Sequence, residues 1–161
     1  ETSPPPPSQK AMIMPQDWHD RSHELRQDWF CGNEEAIAFI AMFFDAVELW
    51  DDLIDKDVPI SDDHINRAFT ALMFGLPAND WFVFNRKYYL PLIMMAINAF
   101  HDANLFADST DKRLRLLAFH IRNIGLEIHI ATAFLLGGYD HMRTVSPEIR
   151  KFFALEDYQD A

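Results

Sequence analysis

The chain has 161 residues, 49% of them hydrophobic and 14% aromatic, with a formal net charge of −11. That length supports one domain with a real core, and the apolar content excludes a disordered chain. The surplus of 25 acids over 14 Lys and Arg argues against nonspecific binding to nucleic acid or anionic membranes, and it permits a site that collects cations.

A single cysteine, Cys31, excludes an internal disulfide framework and a multi-cysteine zinc site, so a reducing, cytoplasmic compartment is expected. Cys31 itself reads as structural. No uninterrupted apolar run reaches the roughly 18 residues of a membrane span. The opening ETSPPPPSQK lacks the basic start and apolar core of a signal peptide, and without an initiator Met it reads as a trimmed chain. Residues 1–15, with Ser3–Ser8 as a polyproline run, are expected to form an extended arm ahead of a single all-α domain over 16–161.

Helical periodicity organises that domain. A first helix is expected over Asp17–Phe30, broken by Cys31-Gly32-Asn33. Asn33 is placed to cap a second helix from Glu34 to about Lys56, stopped before Pro59. Ser61 can cap a third, ending near Phe74 at Gly75 and Pro77. A fourth starts near Asn79, bends at Pro91 and reaches about Phe106. A fifth runs from Asp111 to Leu136, closed by Gly137-Gly138, and a short last helix follows Ser146-Pro147. The expected fold is a bundle of five to six helices around two or three long apolar central ones.

The second helix concentrates the polar chemistry. At about 100° per residue, Asp45, Glu48, Asp52 and Asp55 form one stripe within roughly 80°, with Asp51 beside it. The rest of the circumference is largely apolar, including Val47, Trp50, Leu53 and Ile54, as in a buried helix. Carboxylates so crowded repel, and burying them costs several kcal/mol, roughly, unless something neutralises them. Mg²⁺, which prefers oxygen ligands, cations from neighbouring helices, and simple solvation are the three ways out.

Two other oily helices carry polar stripes: Asn98, His101 and Asp102 on the fourth, and His120, Asn123 and Glu127 on the fifth. Their recurrence suggests that the three stripes meet in one cavity. Arg86 and Lys87 beside Tyr88 and Tyr89, together with Arg113, Arg67 and Arg122, are candidate phosphate ligands, or else ordinary surface cations. A salt bridge from His120 or Arg113 to the acidic helix is the plainer alternative.

Asp51-Asp52-Leu53-Ile54-Asp55 is a DDxxD sequence, and it resembles the aspartate-rich motif of class I isoprenoid (terpene and prenyl) synthases. That resemblance implies an isoprenoid-synthase-like fold and Mg²⁺ as cofactor, held by Asp51, Asp52 and Asp55, with a small diphosphate-containing ligand and transferase or lyase chemistry on prenyl diphosphates. Glu48, Asp102 and Glu127 are the next metal candidates, and Asp45, Asn98, His101, His120 and Asn123 would line the cavity. The ExxD and DxxD spacings, Glu48 to Asp51 and Asp52 to Asp55, are similar to those of all-α nucleotide pyrophosphohydrolases. His101-Asp102 resembles the central dipeptide of HD-type metal phosphohydrolases, with His64 and Asp140 in the outer positions. The alternative from another class is a non-enzymatic helical interaction or scaffold protein, with its acids balanced by its own Arg and His and with homo-oligomerisation suited to its aromatic content.

Overall fold

The structure is a computed structural model that describes residues 16–56 and 58–157; the expected Pro-rich arm lies outside these residues. It is an all-α bundle with no strand among the described residues.

Helix α1 (Gln16–Trp29) and helix α2 (Glu34–Asp55) are joined by a corner in which Cys31 and Gly32 both take positive φ, 52° and 70°. Asn33 caps α2 as expected, its side chain accepting from the Ala36 amide at 2.9 Å. The helix stops at Lys56 in the left-handed conformation, whose amide returns to the Asp52 carbonyl.

Ser61 caps α3 (Asp62–Thr70), which passes into one π turn (Ala71–Gly75) and a short α4 (Leu76–Ala78). Asn79 then does two jobs. Its side-chain Oδ1 caps α5 (Asp80–Ala107) by accepting from the Phe82 amide, and its Nδ2 donates to the backbone and side chain of Glu35, tying the start of α5 to the start of α2. Pro91 lies within α5 without ending it. Asp111 caps α6 (Lys112–Arg122), which folds back on α5.

The long fifth helix expected from the sequence is in fact two. A 3₁₀ turn at Asn123–Gly125 separates α6 from α7 (Leu126–Asp157). Gly125 is a poor helix former, and the tighter turn re-aims everything after it. Consequently His120, Asn123 and Glu127 do not form a continuous helical stripe. Helix α7 kinks at Gly138, with φ 76° and ψ −173°, where the sequence places a break. The second arm resumes directly after Gly138 instead of waiting for Ser146-Pro147. Gly137 is needed for a different reason: a Cβ there would run into the His141 ring.

The core sits where α1, α2, α5 and α7 meet, around Trp29, Phe30, Phe39, Ile40, Tyr89, Ile128 and Ile149. Part of its polar content is satisfied locally. Trp81 Nε1 donates to the Tyr89 hydroxyl at 2.8 Å, Tyr89 and Thr132 hydroxyls lie 2.9 Å apart, and Thr132 donates to the Ile128 carbonyl. Burial pushes the Tyr89 phenol up, opposed by those two hydrogen bonds.

Away from this core the surface is unusually oily. Nineteen large apolar side chains are exposed among the described residues, eight of them on α5. By length and composition α5 is also the one described helix able to cross a membrane, with 17% of its most apolar window buried. Asn98, His101 and Asp102 interrupt its apolar run, in keeping with the expectation of no clear membrane span.

Candidate functional site

The acid stripe of α2 is divided between two neighbours. Its upper part faces α3: Arg67 grips Asp45 with a two-pronged contact, Nη2 to Oδ1 at 2.9 Å and Nε to Oδ2 at 3.1 Å, and His64 Nε2 lies 3.5 Å from the same carboxylate. The hydrogen bond to Asp45 raises the Arg67 pKa above its ordinary value, with the fields of Asp45, Glu48 and Asp63 adding to it.

The lower part, which carries the DDxxD motif, faces Arg122 at the end of α6. Asp51 and Asp55 are one turn apart, and Arg122 Nη1 reaches both, at 3.6 Å and 3.2 Å. The same guanidinium donates through Nη2 to Asn104 and lies over the Phe100 ring, 5.3 Å from its centroid. Asp52 sits half-buried in the same turn. Two like charges an α-turn apart repel, so one guanidinium shared between them relieves a conflict built into the motif.

Beside this cluster is an apolar cavity between α2, α5 and the α6–α7 joint, lined by Phe43, Val47, Trp50, Ile93, Phe100 and Arg122 among others, with a volume of about 50 Å³. Ligand pockets run to roughly 300–1,000 Å³, and one water takes roughly 30 Å³. The cavity as folded therefore has room for a water or two and none for a prenyl chain or a nucleobase. A larger hollow of about 520 Å³ is an open surface groove at the N-terminal ends of α2 and α5, between Asn33, Glu35, Asp80, Trp81, Val83 and Phe84, away from the DDxxD residues.

The three polar stripes take separate partners. Asn98 Nδ2 donates to Asp102 on its own helix at 3.1 Å, and the exposed His101 ring stands edge-on to Trp50, 5.8 Å between centroids. Glu127 is held by Arg150 at 2.7 Å. His120 is exposed against Phe119, and Asn123 lies in the 3₁₀ turn. Arg86 and Lys87 are exposed near the start of α5, and Arg113 turns back onto Asp111, its own cap. The cations that reach the acidic helix are thus Arg67 and Arg122, in place of the expected Arg113 or His120, with the His64 ring beside Asp45. Among the described residues no three His, Cys, Asp or Glu side chains gather into a group able to hold a metal. As folded, Asp51 and Asp55 of the DDxxD motif face one shared guanidinium.

Two features escaped the sequence reading. His129 is fully buried among Phe44, Phe153, Phe30 and Trp29, at ring-centroid distances of 4.4, 5.0, 5.9 and 6.5 Å. Burial pushes its pKa well below the ordinary value, helped by the field of Arg26, itself lowered to about 10 by burial. The second is a contact across the α1–α2 corner. His141 Nε2 lies 2.9 Å from the Trp29 carbonyl, which can only accept, so that nitrogen carries the proton; Cys31 Sγ is 3.5 Å away.

No protein-family profile matches the chain, and comparisons with curated proteins and with solved structures find no match either.

Proposed function

We propose that the chain is a non-enzymatic helical interaction protein whose acids are balanced by its own cations. One observation carries this reading: three of the six carboxylates nominated for metal face a guanidinium of the chain itself, Asp51 and Asp55 that of Arg122 and Glu127 that of Arg150, and so does the cavity candidate Asp45, held by Arg67. The exposed large apolar side chains, eight of them on α5, supply a reason to associate, since burying apolar surface is favourable.

The second reading keeps the DDxxD motif as a Mg²⁺-dependent site for a diphosphate-containing ligand. What favours it is the position of Asp51, Asp55 and Arg122 beside an apolar cavity lined by Phe43, Trp50 and Phe100. It requires Arg122 to leave the carboxylates and the cavity to open several-fold.

A release assay separates the two. With Mg²⁺ and a panel of prenyl diphosphates and nucleoside triphosphates, the interaction reading predicts no diphosphate or phosphate release above buffer. Release that disappears in Asp52→Asn would overturn it.

A further inference from the structure

The outer face of α5 carries residues at Phe84, Lys87, Pro91, Met94, Asn98, His101 and Leu105, all exposed. The spacing follows the three-and-four alternation that keeps side chains on one side of a helix, and it runs about 32 Å at about 1.5 Å per residue. We propose that this face is a self-association seam that pairs two copies of the chain through antiparallel α5 helices, with the two-fold axis between Met94 and Met95. The proposal rests on the interaction reading and names its partner.

Charge complementarity chooses the occupant and the direction. About an axis between residues 94 and 95, Lys87 of one copy falls opposite Asp102 of the other. Phe84 meets Leu105, Pro91 meets Asn98, and the methionines meet at the centre. All these pairs lie symmetrically about one line on the helix surface, as an isologous contact demands. A parallel pairing would set Lys87 against Lys87 instead. Asp102 already accepts from Asn98 through Oδ2, and a carboxylate has capacity for a second donor. Phe84, Met94 and Leu105 are 86%, 66% and 74% exposed, so the seam has apolar surface to bury at its ends and its middle. Lipid is the less suitable occupant, because Lys87, Asn98 and Asp102 along the face would be costly in hydrocarbon.

The test uses the full chain in a Cys31→Ser background with a short bis-maleimide. Met94→Cys should cross-link to itself. Phe84→Cys and Leu105→Cys should each cross-link poorly alone and efficiently when mixed. Met94→Glu, at an exposed site that leaves helicity intact, should weaken self-association by about tenfold or more in sedimentation. Self-linking of Phe84→Cys without the mixed product would overturn the antiparallel register. A dimer that persists while Met94→Cys stays unlinked would overturn the seam and spare the interaction reading. A monomer at every concentration, or a monomer that binds phosphatidylcholine vesicles, would overturn self-pairing. Mg²⁺-dependent diphosphate release would instead remove the reading beneath it.

Discussion

The stability of this protein is expected to fall as the pH drops from 6.5 to 5, and His129→Leu is expected to remove most of that fall. His129 is fully buried, and neither ring nitrogen has a hydrogen-bond partner among the described residues. Its folded-state pKa lies well below the ordinary value because burial disfavours the imidazolium, with the Arg26 field acting in the same direction. The unfolded chain, with an ordinary histidine near 6.5, therefore takes up a proton that the folded chain refuses. Stability is fully present above that pH and is lost below it, down to the lowered folded value, at up to about 1.4 kcal/mol per pH unit. Between pH 6.5 and 5 this amounts to about 2 kcal/mol. Leucine fills a similar volume and needs no hydrogen bond, so the variant should match the wild type at neutral pH and exceed it at pH 5. Urea unfolding at a series of pH values measures the slope; an unchanged slope in His129→Leu would place its origin elsewhere.

Arg122→Met should cost about 2 kcal/mol and lower the melting temperature by several degrees. The substitution keeps the aliphatic stem, so the loss is electrostatic. Asp51 and Asp55 would lose the guanidinium they share, Asn104 would lose this donor, and Phe100 the cation over its ring. These groups are partly exposed, which keeps the estimate well below that for a buried pair. Asp55→Asn made in the Arg122→Met background should be milder than in the wild type, with a coupling of about 0.5–1 kcal/mol. Additive costs would mean that the shared guanidinium is not what steadies the motif.

How much of this was legible beforehand depended on the range of each interaction. The caps at Asn33 and Ser61, the start of α5 near Asn79 and the break at Gly137-Gly138 all follow from a side chain or a glycine acting on its own backbone, and these were readable. The α2 stripe was readable too, because it is a property of one helix. The 3₁₀ turn at Asn123–Gly125 and the π turn at Ala71–Gly75 were not. Both interrupt patterns that remain apolar-periodic on either side, so only tertiary packing decides where the register slips. The choice of Arg122 over Arg113 as the partner of the DDxxD acids depends on which end of α6 lies beside α2, a matter of helix docking. Exposure was the hardest quantity to foresee. The apolar residues of α5 look like core residues in sequence, and it takes the fold to reveal that the side bearing Phe84, Met94 and Leu105 is left largely exposed.

The central claim, that the acids of α2 are neutralised by the protein's own cations, is tested most directly by thermal unfolding of the full chain in millimolar Mg²⁺ against EDTA. A folded-state metal site would add about 2.7 kcal/mol at a hundredfold excess over its dissociation constant, a shift of several degrees. The account predicts the same melting temperature in both conditions. A clear rise in Mg²⁺ that Asp52→Asn abolishes would contradict it.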